Sequence, residues 1–395
     1  MFNKSLVLVA ATVSVCACIK LLDAAPARQA IPESTTADAS GKVNVCSSRS
    51  VIEADLGKAS QSLEQARYQD AVDTLRSPSL LNCDPRAGLL FAAALEAEGN
   101  LPAAEQSLER SHALWPSNDS IAASLAREYL SSGQTGKAVQ ALAHFHATSS
   151  TRLQEMQMAA VVYLTANRLL LAQAIAETAY DTYPSLDTLL LLANVLQLEG
   201  KYPAVIRFLG SKRATYSASA RFLITLAESE YDSAMWVSAR RDIEGAIALD
   251  GSSFQAHYIL ANVLVRQGDL DRAITEYRSA ISLNPGEPRT YYRLALVYRT
   301  RNNAVGEERA LDQALAANGQ YAPAHCEMGR MLIQEGKLQD AVNHLKLAVQ
   351  YNPNSEEAYF LLVRAYARLG ERNQAEAMVK RLEAVRKENH RGQGR

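Results

Sequence analysis

Neither sign of charge is in excess in this sequence: 41 Lys and Arg stand against 42 Asp and Glu, a formal net charge of −1. A uniformly basic surface that would track a phosphate backbone is therefore absent, and nucleic acid is not expected as a partner. Cysteine is scarce, with five in 395 residues, which excludes a disulfide scaffold. Glycine (19) and proline (12) are too few for a collagenous or low-complexity chain, and 48% hydrophobic residues exclude general disorder. Catalytic signatures are lacking too: no HExxH, CxxC, CxxCH, GxSxG or GxxxxGK(S/T) occurs.

What is present begins with a signal-like segment. Lys4 supplies a charged start, Ser5 to Ile19 form a 15-residue apolar run ended by Lys20, and Ala25-Pro26-Ala27 offers small residues for cleavage. That run is short for a spanning helix, so export is expected. Val15-Cys16-Ala17-Cys18 loosely resembles a bacterial lipobox, with Cys18 as the residue to be lipidated. Soluble secretion, a lipoprotein and a retained anchor all stay open. The expected division is a signal peptide at 1–27, a flexible linker at 28–48, a repeat array at 49–388 and a disordered basic tail at 389–395.

One period dominates the rest. Small residues recur at Ala92, Ala126, Ala160, Ala193, Ala227, Ala261, Ala295 and Gly329, in steps of 34 with a single 33. Seven positions after most of them comes Gly99, Gly133, Asn167, Gly200, Gly268, Asn302 or Gly336, with Gly370 continuing the series. In this series Asn stands in for Gly at Asn167 and Asn302, which marks a left-handed residue closing a helix. Between these marks the apolar period is helical, as in Leu270 to Leu283 with Ala273, Ile274, Tyr277, Ala280 and Ile281. Pro116, Pro184, Pro285 and Pro353 fall where a second helix must stop. Each unit is predicted to be helix, turn, helix.

These residues resemble the tetratricopeptide repeat. The stretch Phe254 to Glu287 carries its pattern as His257, Leu260-Ala261, Leu264, Gly268, Ala273, Tyr277, Ala280 and Pro285. The resemblance covers roughly residues 50 to 388 in about ten units and implies an all-α superhelical solenoid. Val205 and Glu307 replace the small residue of the second helix, and Ala234 replaces the turn Gly, so irregularities are expected there. Cys46 precedes the first helix of unit one and Cys83 follows its second; the ends of an antiparallel hairpin meet, so a Cys46–Cys83 disulfide is expected in an exported chain. Cys326 reads as a small apolar filler, and His257 and His325 as packing residues in the family's aromatic slot. His144 and His146, on a helix, would point to different faces. No metal site, cofactor or catalytic residue is expected.

The family's first helices line a concave groove, with second, fifth, ninth, twelfth and thirteenth positions inward. Carried over, this selects Tyr258, Asn262 and Arg266, then Arg289, Tyr292 and Arg299, Arg330, and finally Phe360, Arg364 and Arg368. Residues 254–395 hold 20 basic and 16 acidic side chains against 21 and 26 in residues 1–253. Arg beside Tyr suits a protein or peptide partner, acidic or bound by its C-terminus. The function expected is a non-enzymatic protein-binding scaffold of the cell envelope or periplasm. Its rivals are a lipid-anchored, pilotin-like assembly factor and a non-catalytic repeat subunit of a glycan-synthesis or secretion complex. Self-association is a further expected partner mode.

Overall fold

The computed structural model describes residues 36–37, 43–44, 46 and 48–393. The expected signal segment, Cys18, most of the linker and positions 394–395 lie outside them. Within the expected linker, β1 (Thr36–Ala37) pairs antiparallel with β2 (Val43–Asn44). Such a ladder needs only backbone groups, which is why no apolar period announced it. The remaining elements are helices, and the fold is an all-α solenoid of helix-turn-helix repeats. Among the described residues no helix is long and apolar enough to cross a membrane.

Unit 1, residues 1–201, carries α1 (Arg49–Glu64), α2 (Tyr68–Leu75), α3 (Pro78–Leu81), α4 (Pro85–Ala97), α5 (Leu101–Leu114), α6 (Asp119–Ser131), α7 (Thr135–Ala141), α8 (Leu153–Thr165), α9 (Leu169–Thr182) and α10 (Leu186–Leu198). Cys46 and Cys83 are bonded across its first repeat, with Cα atoms 5.8 Å apart. Third-repeat helix α7 is cut short: Phe145 turns inward and is buried, and the Tyr163 hydroxyl donates to the Leu142 carbonyl at 3.2 Å. His144 and His146 therefore lie beyond the helix, contrary to the helical placement expected for them; His146 Nδ1 sits 2.9 Å from the His144 carbonyl oxygen.

Unit 2, residues 202–395, carries α11 (Tyr202–Tyr216), α12 (Ala220–Asp232), α13 (Trp236–Leu249), α14 (Phe254–Gln267), α15 (Leu270–Leu283), α16 (Pro288–Thr300), α17 (Ala304–Ala317), α18 (Ala322–Glu335), α19 (Leu338–Tyr351), α20 (Glu356–Leu369) and α21 (Arg372–Gln393). Helices α12 and α13 pack as a hairpin, as do the four pairs that follow. Helix α21 runs past the expected boundary at 388, because no glycine or proline interrupts Arg372 to Arg391.

Among the described residues, ten turn residues take positive φ: Ala66, Gly99, Gly133, Asn167, Gly200, Ala234, Gly268, Asn302, Gly336 and Gly370. The turn of repeat six is regular despite its alanine, with Ala234 at φ 58° and the Met235 amide donating to the Glu230 carbonyl at 2.8 Å. The same bond closes repeat nine, from Lys337 to Leu332 at 2.9 Å. In unit 2 the small slot is fully buried at Ala227, Ala261 and Ala295. At Gly329 a methyl would stand 2.4 Å from Leu345 Cγ, so the ninth pair crosses too closely for alanine.

Candidate partner-binding site

Of the first helices of repeats seven to ten, α14, α16 and α20 start at side-chain caps, while α18 begins at Tyr321 without one and carries Pro323 in its first turn. Ser253 and Ser355 accept from Ala256 and Ala358, while Glu287 accepts from Arg289 and Pro288 occupies the first turn. These caps fix the phase of each helix, and the phase sets which side chains share a face.

Several residues expected on that face are already engaged within the protein. Asn262 Oδ1 accepts from the hydroxyl of buried Tyr277 at 2.7 Å. Arg266 lies 6.0 Å over the Tyr231 ring and donates to its hydroxyl at 3.3 Å. Arg289 forks onto Glu287 at 2.9 and 3.2 Å. Burial alone would raise the Glu287 carboxyl, but the Arg289 hydrogen bond and charge hold it below its ordinary value. Arg368 donates to the Ile333 carbonyl at 2.5 Å.

A compact ionic network occupies repeats eight to ten. Glu327, buried on α18, accepts from Arg299 of α16 and, at 2.9 Å, from Arg330; Arg330 also reaches Glu357. Glu307 is buried beside them, its carboxyl raised chiefly by burial and lowered in part by Arg299. Three carboxylates thus surround two guanidiniums, so this stretch is not the basic strip that counting arginines suggested. Cys326 is a buried free thiol, pushed up to about 12 by burial and then by Glu357 and Glu327. Its expected role as filler fits that environment.

Aromatic groups complete the face. Tyr258 stacks on Phe254 at 6.0 Å and meets Tyr277 edge-on at 6.1 Å, and Tyr292 meets Tyr321 edge-on at 5.9 Å. Phe360 is 48% exposed with the Arg364 guanidinium 6.0 Å above its ring. That pair is open to solvent and has the character of a hot spot. Sequence reasoning missed Tyr231, Tyr321 and Arg293. Arg293 falls at the sixth position of its helix, which the family's groove pattern skips; its spacing of four from Arg289 was the available signal.

The His257 slot is structural, with Nδ1 2.7 Å from Glu276 and Nε2 3.1 Å from the Gly251 carbonyl. In the equivalent slot His325 meets His344, Nδ1 to Nδ1 at 3.1 Å. Among the described residues no group of three His, Cys, Asp or Glu could hold a metal ion.

A family model described as tetratricopeptide repeat matches residues 332–394, and one described as TPR repeat matches 261–300. Both matches fall on the hairpins just described. These two stretches are tetratricopeptide repeats. The tetratricopeptide solenoid is similar to DnaJ homolog subfamily C member 3 of Mus musculus, 25% identical over 148 residues, covering 38% of this chain and 27% of that protein. The Homo sapiens counterpart is 24% identical over 136 residues, with shares of 34% and 25%. The chain therefore spans about a quarter of the length of these curated relatives. Among solved structures, yeast Tom70 is 13% identical, with 86% of this chain and 93% of that chain covered at a TM-score of 0.45. The crystal structure of MamA is 21% identical, with 41% and 95% covered at 0.38. The tetratricopeptide fold is consistent with a protein-protein interaction scaffold.

Proposed function

We propose that this tetratricopeptide-repeat protein is an exported, non-catalytic scaffold that binds a partner protein or peptide on the first-helix face of unit 2. The observation that carries the reading is the exposed Phe360 with Arg364 over its ring, on the face that also presents Tyr258 and Tyr292. An aromatic and a cation left at a water-exposed surface cost nothing to the repeat core and are available for contact. Export is supported by the signal-like first 27 residues and by the Cys46–Cys83 disulfide, which calls for an oxidising compartment.

The test is a pull-down from cell-envelope extract with wild type beside a Phe360→Ala, Arg364→Ala double variant, read by mass spectrometry. A protein retained by wild type and lost by the variant supports the reading; identical retention moves binding off this face. Arg330 is the poorer target, because its removal also takes a partner from buried Glu327.

A further inference from the structure

Repeats seven and nine build the same side-chain contact from different partners. His257 of α14 faces Glu276 of α15, with Nδ1 2.7 Å from a carboxylate oxygen and Nε2 3.1 Å from the Gly251 carbonyl. Each of these three positions recurs 68 residues further on, as His325 of α18, His344 of α19 and Gly319. There His325 Nε2 lies 3.0 Å from the Gly319 carbonyl, but Nδ1 meets a second imidazole, His344 Nδ1, at 3.1 Å. His325 is buried with the Tyr351 ring stacked on it, and His344 is half-buried. Where repeat seven offers a carboxylate, repeat nine offers another base.

A carbonyl oxygen only accepts, so His325 Nε2 carries a hydrogen and the neutral ring presents a bare Nδ1. The contact then needs a hydrogen on His344 Nδ1, or the reverse arrangement in which His325 is the imidazolium and His344 Nδ1 is bare. Either way, one hydrogen sits between two nitrogens. Protonating both rings sets two N–H groups and two positive charges against each other, and the contact is lost. Repeat seven has no such limit, because the Glu276 carboxylate accepts from an imidazolium. We propose that the His325–His344 pair is an acid-sensitive joint, which holds α18 to α19 near neutral pH and releases them when both rings are protonated. Burial first and then His325 hold the His344 imidazole below its ordinary value, against the opposite pull of Asp312 on α17 and Asp340 on α19. A group shifted that way takes its proton more readily once the hairpin opens, so stability is lost as pH falls below about 6.5. Helix α18 also carries Glu327 and Arg330, which meet Arg299 of α16 and Glu357 of α20, so release loosens the helix at the centre of that ionic network.

The test is hydrogen exchange of the full chain, read by mass spectrometry at about pH 7.5 and about pH 5 with exchange times scaled for the intrinsic rate. In wild type, protection of α18 and α19 is expected to fall about tenfold at the lower pH relative to that of α14 and α15. His344→Glu gives repeat nine the pair of repeat seven and should abolish that relative loss. Glu276→His gives repeat seven the pair of repeat nine and should transfer the loss to α14 and α15, which keeps the proposal testable where the first variant fails to fold. An equal change in both wild-type repeats would overturn the proposal, as would a relative loss that persists in His344→Glu. Nitrogen-resolved NMR spectra of the histidine rings near neutral pH supply a second check. A hydrogen on one Nδ1 of the pair is expected, and two bare Nδ1 atoms would overturn the joint.

Discussion

Repeats six and nine use one backbone plan and treat buried charge in opposite ways. In repeat nine, Glu327 is buried with two guanidiniums on it. In repeat six, Asp242 takes both available arginines, Arg213 and Arg241, and the neighbouring Glu230 is left with Oε2 unpaired. Burial, and next the Asp242 charge, raise the Glu230 carboxyl to about 7. The turns differ in parallel, with Ala234 in one and Gly336 in the other at like positive φ. A repeat tolerates strain in charge and backbone as long as its stacking slot is kept, because stability is shared across neighbouring hairpins.

The largest expected effect comes from making repeat nine resemble repeat six. Removing both partners by Arg299→Ala with Arg330→Ala should cost about 3 kcal/mol in urea unfolding, and Glu327→Gln in that background should restore much of it. The converse change repairs repeat six. A carboxyl raised from 4.5 to about 7 on folding holds its proton more tightly in the native state. Its contribution therefore becomes unfavourable as pH rises from about 4.5 to about 7 and stays so above. Glu230→Gln should raise stability by roughly 2 kcal/mol at about pH 8 and have little effect near pH 4, followed by urea titration across that range.

Smaller effects sharpen the comparison at the backbone. Gly329→Ala should cost about 1–2 kcal/mol, since the added methyl meets Leu345. Ala227→Gly, in the equivalent slot of repeat six, should cost about 1 kcal/mol for the reason of helix propensity alone. Ala234→Gly should gain about 1 kcal/mol by relieving a left-handed alanine, and Gly336→Ala should lose about as much. Thermal midpoints of these four variants would show whether the repeats are interchangeable at these slots.

Much of the fold was legible because its strongest constraints are local and recur. A residue closing a helix at positive φ is chosen for its own backbone, so Gly99, Asn167 and Gly370 announce their turns wherever they stand. Ala66 and Ala234 adopt the same conformation without the expected residue, held there by the hairpin around them. The shortened α7 was illegible for a related reason: its end is set by Phe145 packing and by Tyr163, 21 residues away. Of the candidate site, the aromatic positions were taken from the family's helix pattern, whereas the state of the arginines was not legible in the sequence.

The amino-acid order by itself determined the number of hairpins, the place of each turn and the face each first helix presents, since all three follow from helical phase and backbone preference. Which acceptor each cation meets was decided by the tertiary structure alone. Arg299 reaches Glu327, 28 residues on, and Arg330 reaches Glu357, 27 residues on, whereas Arg293 meets tyrosines. Neutralisation depends on the distance between side chains of adjacent repeats, and only stacking brings those side chains together.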